Sequence, residues 1–208
     1  LMRGAPPLPE RYIRLEYNFP WAEALDLLAP ELGARCAAAP TPWELAAPLF
    51  AEIEADEITT MQTADILTWM QQDILLKADK MSMASSLELR VPFLDREVFA
   101  LASTLPVSQR VSRRETKIAL RAAAARTLPQ ATAAMPKQGF ITPLAQWLRE
   151  EPWNAQVREV LNSERARRLF HTERLNALLD EHQRSACSHM KKIWSAYCFL
   201  IWHEQYFD

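Results

Sequence analysis

The longest helical pattern in the sequence runs from about Thr59 to Met83. Apolar residues recur in it at spacings of three and four, which places them on one face of a helix: Leu67, Met70, Ile74, Ala78 and Met81. Charged residues interrupt this mostly apolar segment at four positions: Asp73, Lys77, Asp79 and Lys80. The pattern predicts a long helix with a buried apolar face.

A break and an extended turn follow this helix. The serines in residues 84–86 weaken a helix because serine competes for backbone hydrogen bonds. Glu88 and Arg90 alternate with apolar residues, so both side chains leave the same side of an extended segment. Pro92 excludes the residue before it from the helical region, and Asp95 is placed to cap a new helix. Surface ion pairs would account for all of these charges as well as ligand binding would.

The remaining pattern is helical. Two segments have the pattern of a capping box at a helix start: Thr41-Pro42-Trp43-Glu44 and Ser112-Arg113-Arg114-Glu115. Further helical patterns cover residues 143–149, 152–161, 163–170, 172–182 and 191–206, and the last is apolar all round, which predicts burial. Residues 1–40 are rich in proline and alanine, with one short helical pattern from Pro20 to Leu28 that ends near Gly33. We therefore expect an all-α chain, an irregular multi-helix bundle with an irregular opening segment at 1–40 and helices over 41–208.

Composition excludes several classes of protein. With 208 residues, 49% hydrophobic content and a net charge of -2, the chain suits one globular domain without a general attraction to nucleic acid or anionic membranes. Its three cysteines are odd in number and widely spaced, which favours a reducing compartment. Its three glycines are far apart, so they cannot form a phosphate-cradling loop. The first residue is leucine, and the sequence predicts a piece of a longer polypeptide.

Charge is unevenly distributed in the middle of the chain. Residues 36–76 carry seven acids and no lysine or arginine, whereas residues 110–126 carry six cations and one acid. The six cations would line an anion site or neutralise the acidic face, and neutralisation explains most of them. Lys117 and Arg121 stand apart because they lie four residues apart on one helical face. Lys137 precedes Gly139, whose freedom to adopt a positive φ would project the lysine from a tight bend.

Three blocks of sequence, in order along the chain, carry a family resemblance. The first is Lys77 to Asp95, and the second joins Lys117 and Arg121 to the loop Pro136-Lys137-Gln138-Gly139-Phe140. The third is the closing helix with its aromatic residues: Trp194, Phe199, Trp202 and Tyr206. Together these blocks resemble the synthetase domain of glutamine-hydrolysing asparagine synthetases.

The resemblance implies a fold and a set of roles. The chain would be the helical C-terminal portion of an α/β ATP-pyrophosphatase-type synthetase domain. Lys137 would be catalytic, because its counterpart in the family reaches the acyl-adenylate and pyrophosphate. Seven residues would line or brace the substrate and nucleotide side: Asp79, Lys80, Ser82, Glu88, Arg90, Lys117 and Gly139. No metal ligand is expected in this chain.

The implied parent enzyme uses ATP and Mg²⁺ to adenylate the side-chain carboxylate of aspartate. Ammonia from glutamine then gives asparagine, AMP and pyrophosphate. The family's Ser-Gly-Gly-x-Asp-Ser loop, its magnesium region and its N-terminal cysteine glutaminase do not occur in this sequence. We expect them upstream in the parent, and we expect this chain alone to be inactive. A cytoplasmic location is expected.

Two other readings stay open. The parent could be a related synthetase acting on another carboxylate, as β-lactam synthetases and peptide cyclases do. The chain could instead be a non-catalytic helical module that binds a partner through its acidic or basic segment. Neither nucleic acid nor membrane is an expected partner. Apolar helix faces would favour self-association into a homo-oligomer.

Overall fold

The computed structural model of the chain describes residues 6–16, 18–136, 139 and 142–207. These residues form helices and no strand, which confirms the all-α prediction. Two isolated β-bridges join Leu28 to Phe170 and Val111 to Thr116. The chain divides into a first unit, Leu1–Ala47 with Phe140–Asp208, and a second unit, Pro48–Gly139.

The helices follow one another with short connections. In the first unit they are α1 (Leu8–Glu16), α2 (Trp21–Leu27), α3 (Pro30–Ala37), α4 (Pro42–Ala51, which ends in the second unit), α11 (Leu144–Trp147), α12 (Trp153–Leu161), α13 (Glu164–Leu169), α14 (Thr172–Gln183) and α15 (Met190–Phe207). In the second unit they are α5 (Glu57–Asp65), a π-helix (Ile66–Leu75), α6 (Leu76–Met83), a 3₁₀ turn (Pro92–Leu94), α7 (Arg96–Ser103), α8 (Val107–Arg110), α9 (Ile118–Ala124) and α10 (Gln130–Ala133).

A continuous apolar core holds the first unit together. Helices α2 and α12–α15, together with Leu148, supply its buried members: Leu27, Leu148, Val157, Leu161, Ala166, Leu175, Leu179, Ile193, Ala196 and Leu200. His182 is fully buried beside this core, with Nε2 2.9 Å from the Ala145 carbonyl oxygen and Nδ1 accepting from the His189 backbone N–H. Backbone partners at both ring nitrogens give His182 a structural role.

Three expectations for the first unit are wrong. Gly33 lies inside α3 instead of ending a helix, and a Cβ there would stand 3.1 Å from the Leu25 carbonyl oxygen of α2. Its hydrogen side chain thus suits the close approach of α2 and α3. Helix α15 buries Ile193, Ala196 and Leu200 but leaves Trp194 and Trp202 exposed, because the described residues of this unit cover one face of α15. Three helices also lie within residues 1–40, where the pattern indicated one.

The second unit is organised around the run of helix from α5 to α6. Asp56 caps α5 by accepting from the backbone N–H groups of Ile58 and Thr59. Arg110 ties α8 to α5, since Nη2 donates to the Thr59 hydroxyl at 2.7 Å and Nη1 donates to Gln62 Oε1 at 2.6 Å. The Thr59 hydroxyl in turn donates to Asp56 Oδ2 at 2.5 Å. One side chain thus fixes the position of α8 against α5.

The apolar face predicted for this run is exposed within its unit. Leu67, Ile74 and Met81 are 38%, 40% and 68% exposed. The middle of the run is π-helical, and its wider turns move residues spaced three and four apart off a common face. Among the described residues of 48–139, burial is confined to Phe50, Thr60 and Ala64. The second unit therefore has little core of its own.

We predict that Leu161→Ala lowers the free energy of unfolding by about 2–5 kcal/mol, because Leu161 is fully buried in the core of the first unit. The matched control is Leu45→Ala on α4, where the leucine is 69% exposed and the change should cost less than about 0.5 kcal/mol. Denaturant titration of both variants measures the difference. Equal losses for the two variants would contradict the assigned core.

Helix α4 begins with the predicted capping box. Thr41 N–H donates to Glu44 Oε2 at 2.7 Å, and the Thr41 hydroxyl accepts from the Glu44 backbone N–H at 3.3 Å. The hydrogen bonds from the Thr41 backbone N–H, and secondarily from its hydroxyl, hold the pKa of the Glu44 carboxyl below its ordinary value of 4.5. Because folding lowers this pKa, ionised Glu44 stabilises the chain fully above pH 4.5, and this contribution is lost as the pH falls through the folded-state pKa.

Glu44→Gln should therefore destabilise the chain at neutral pH, and the difference from wild type should shrink as the pH falls below 4.5. Denaturant midpoints across the acid range provide the measurement. In a Thr41→Ala background, where the hydroxyl bond is gone, the pH dependence of the Glu44→Gln effect should be smaller. A difference between wild type and the Glu44→Gln variant that stays constant with pH would refute the capping role of the carboxylate.

Candidate anion-binding site

A turn before α9 brings cationic residues together in the second unit. Val111 and Thr116 form an isolated bridge, and the Ser112 hydroxyl accepts from the backbone N–H groups of Arg114 and Glu115. The predicted capping box thus forms its serine contact but starts no helix there. Helix α9 begins only at Ile118, after Lys117.

Lys117 occupies a strained backbone conformation at this turn. Its φ of 59° and ψ of 37° are left-handed, and it caps α9 without a side-chain hydrogen bond. For a residue with a Cβ this conformation costs on the order of 1–2 kcal/mol. Such strain persists only where surrounding contacts enforce it, and it is more frequent at functional sites.

Arg121, one turn into α9, bonds to three backbone carbonyls. Its Nε donates to the carbonyl oxygen of Thr116, the residue before Lys117, at 3.3 Å. Its Nη1 donates to the oxygens of Ala133 and Met135 at 3.1 and 2.8 Å, at the end of α10. All three acceptors are neutral, so the bonds fix the guanidinium in place without cancelling its charge.

A pocket of about 590 Å³ opens between these two segments. Its lining comes from the turn, from α9 and from the stretch after α10: Arg114, Glu115, Thr116, Arg121, Ala125, Gln130, Ala133, Ala134 and Pro136. Within the part of the chain that the structure describes, Arg114, Lys117 and Arg121 form no ion pair with a carboxylate. The pocket therefore offers a positive field to an anion, tempered by Glu115 at its edge.

Elsewhere the predicted neutralisation of the acidic segment has little support. Arg110 bonds to the neutral side chains of Thr59 and Gln62, although its charge contributes to lowering the pKa of Asp56 after the larger effect of hydrogen bonds from Thr59. Lys77 pairs with Asp73 at 2.9 Å on the same helical run, both of them half exposed. The acidic segment thus satisfies part of its charge locally.

Three of the sequence-predicted residues lie on α6. Asp79 and Lys80 are exposed, and the Ser82 hydroxyl donates to the Asp79 carbonyl oxygen at 3.1 Å. Helix α6 ends at Met83, Ser86 beyond it is left-handed, and the Leu87 N–H donates to the Ser82 carbonyl at 2.9 Å. The predicted break at residues 84–86 is confirmed. The chain then leaves the helix directly into the charged segment.

Glu88 and Arg90 lie on that extended segment. They pair with each other at 2.8 Å, and both side chains are largely exposed, so the pair contributes less than about 1 kcal/mol to stability. Asp95 accepts from the backbone N–H groups of Glu97 and Val98, which confirms it as the cap of α7. A cap accounts for Asp95 without a ligand.

The two remaining predicted positions follow α10. Lys137 lies outside the described residues. Gly139 is described and exposed; its φ is not in the left-handed region, and a Cβ there would meet nothing within 4 Å. The expected positive φ at Gly139 is therefore wrong.

Sequence reasoning did not identify Arg114 and gave Arg121 no role. Arg114 belongs to a motif typical of a helix start, and this motif hid its place on a turn. The sequence singles out Arg121 only for sharing a face with Lys117 and for its place in the second block of the resemblance. The sequence signal for the pocket is the basic segment 110–126, which lies close to a loop with proline, lysine and glycine. This signal does not reveal which backbone carbonyls Arg121 contacts.

The described residues hold neither a metal-binding group nor a membrane-spanning helix. No group of three or more His, Cys, Asp or Glu side chains among them lies close enough to hold a metal ion. No described helix is long and apolar enough to cross a membrane.

Comparison with known proteins gives a family. The sequence model named asparagine synthase matches residues 8–204. Glutamine-hydrolyzing asparagine synthetase 1 of Bacillus subtilis is 38% identical over 207 residues, which are 98% of this chain and 31% of that protein. A Mycobacterium tuberculosis protein, named provisionally as a glutamine-hydrolyzing asparagine synthetase, is 38% identical over 98% of this chain and 30% of its own length. The chain thus spans less than a third of these curated relatives. No solved structure matches it.

Proposed function

This chain belongs to the asparagine synthase family, and from that membership we propose that it forms the helical wall of an ATP-dependent ligase. The ligase adenylates the side-chain carboxylate of aspartate and aminates it with ammonia from glutamine. Its products are asparagine, AMP and pyrophosphate. The reactants ATP and glutamine and the cytoplasmic location are part of the same proposal.

The observation that carries this proposal is the cation-lined pocket before Lys137. Adenylation gathers negative charge on the α-phosphoryl group and on the departing pyrophosphate. Arg114 and Arg121 line a pocket that is large enough for a small anion and lack a carboxylate partner among the described residues. Fixed cations stabilise such charge most where they are already in place before the reaction. We assign the polyphosphate end of ATP to this pocket.

We propose Lys137 as the catalytic cation. It follows Pro136, which lines the pocket, directly in the sequence. A lysine suits the task because its ammonium is a compact point charge on a flexible stem. We assign Lys117 and Gly139 to the same substrate- and nucleotide-binding set. Lys117 lies at the turn before α9, and Gly139 follows Lys137 by two residues in the sequence.

The charged residues around α6 form the second part of the proposed site. Asp79, Lys80 and Ser82 would face or brace the nucleotide. The Glu88–Arg90 pair, on the extended segment that follows, would form the charged turn beneath the nucleotide side of the cleft. The exposure of the segment supports these roles, because the Glu88 and Arg90 side chains pair with each other and remain 72% and 81% exposed.

The exposed faces of the second unit support a complementing segment. Leu87, Leu89 and Val91, on the extended segment, are 64%, 50% and 43% exposed. Apolar surface of this kind is normally covered by another part of the protein. We propose that the counterpart of the relatives' remaining sequence covers it and brings the ATP loop and the glutaminase. A homo-oligomer would use whatever apolar surface then remains.

Mg²⁺ is assigned to that complementing segment. The described residues of this chain contain no group of ligands that fits a metal ion, so no step is assigned to a metal held here. Because the ATP loop and Mg²⁺ are assigned to the complementing segment, the 208-residue chain alone should form no AMP from ATP and aspartate.

We predict that Lys137→Ala, in a full-length synthetase that carries this chain, slows single-turnover adenylation at least about 100-fold, because one positioned cation stabilises the transition-state charge. Release of pyrophosphate from ATP in the presence of aspartate provides the measurement. Lys191→Ala, on an exposed position of α15, is the matched control and should react like wild type.

ATP binding and the unfolding midpoint of the Lys137→Ala protein must stay near wild type for the comparison to count. Turnover that stays unchanged on a folded, ATP-binding protein would reject Lys137 as the catalytic cation. Pyrophosphate release with another carboxylate but none with aspartate would replace asparagine synthesis with a related synthetase activity.

A further inference from the structure

One guanidinium joins the two segments that border the anion pocket. Through Nε it reaches Thr116, and through Nη1 it reaches Ala133 and Met135, which are 12 and 14 residues from Arg121. Its own backbone N–H donates to the Lys117 carbonyl at 2.9 Å. Arg121 therefore bonds to the strained turn through its backbone N–H and its Nε. It bonds to the end of α10 and the residues after it through its Nη1.

The local hydrogen bonds of the two segments do not join them. The turn is closed within itself by Val111, Ser112 and Glu115. The end of α10 is likewise closed by bonds from Ala134 N–H to Gln130 and from Met135 N–H to Thr132. Among the hydrogen bonds of the described residues, those of the Arg121 side chain connect one segment to the other.

Resting on the proposed function, we propose that Arg121 is a positioning residue. Its planar guanidinium fixes the distance between the Lys117 turn and residues 133–136, which lead to Lys137. It acts through its bonds to backbone carbonyls, and its charge adds to the field of the pocket without a hydrogen bond to the substrate. A point charge would not replace it, because a single ammonium cannot span carbonyls on two segments with the fork geometry of arginine.

A positioning role and a direct ligand contact predict different effects of Arg121→Lys. If Arg121 binds the anion, Arg121→Lys keeps the charge and should alter the affinity for ATP. If Arg121 positions the two segments, the same change should leave affinity nearly intact and slow the chemical step, because misplacing reacting groups by about 1 Å can cost about 100-fold. Both segments should also loosen together.

The test compares Arg121→Lys with Arg126→Lys in a full-length synthetase that carries this chain. Arg126 lies just beyond α9 and makes no contact to the two segments among the described hydrogen bonds, so it is the matched control. Hydrogen exchange of residues 118–121 and 134–135 is read by mass spectrometry. Single-turnover adenylation gives the rate and its dependence on ATP concentration.

The expected result for Arg121→Lys is exchange at least about 10-fold faster in both regions, with a rate lowered about 10- to 100-fold and a half-saturating ATP concentration within about threefold of wild type. Arg126→Lys should match wild type in every readout. Added guanidinium ion should restore part of the lost rate in Arg121→Ala.

Wild-type exchange in both regions of Arg121→Lys would overturn the positioning role, and so would faster exchange in one region alone. A loss confined to ATP affinity would overturn it in favour of direct binding. If the wild-type protein forms no adenylate while the two regions still loosen together in Arg121→Lys, the proposed function fails and the structural tie stands.

Discussion

The pocket in the second unit depends on one interaction, the hydrogen bonding of the Arg121 guanidinium to carbonyls on two separate segments. Thr116 on one side and Ala133 and Met135 on the other would otherwise be held only by their local turns. The tie also explains how Lys117 keeps a left-handed backbone, since the carbonyl before it and its own carbonyl both receive bonds from Arg121. Because the acceptors are neutral, the same side chain that closes the pocket also leaves it positive.

The two units differ in how they are stabilised. The first buries a continuous set of aliphatic side chains from α2 and α12–α15, which suffices for an independent core. The second is tied by polar contacts, such as those of Arg110 to α5, and buries few of its described residues. The second unit exposes many apolar side chains, such as Leu87, Leu89 and Phe93, which another segment of the protein could cover. This division fits a chain that spans less than a third of its relatives.

The sequence predicted the features that depend on neighbouring residues. The helix cap at Asp95, the capping box of Thr41 and Glu44, and the helix break at residues 84–86 each involve residues within about one turn, so local chemistry decides them. The box at Ser112 failed as a helix start because the left-handed Lys117 postpones α9. Burial of Leu67 and Trp202 was predicted wrongly, because exposure depends on which surfaces are present to cover a face. The Arg121 contacts, reaching across 12 and 14 residues, have no local signature.

Pyrophosphate binding to the 208-residue chain tests the cationic pocket most directly. Calorimetric titration should show binding that weakens with added salt, since the contact is between unlike charges. Arg114→Ala should weaken it about tenfold by removing a charged donor that lines the pocket. Arg96→Ala removes the same charge from α7, away from the pocket lining, and should change affinity less than about twofold. No binding at all, or equal weakening by the two variants, would contradict a pyrophosphate site at this pocket.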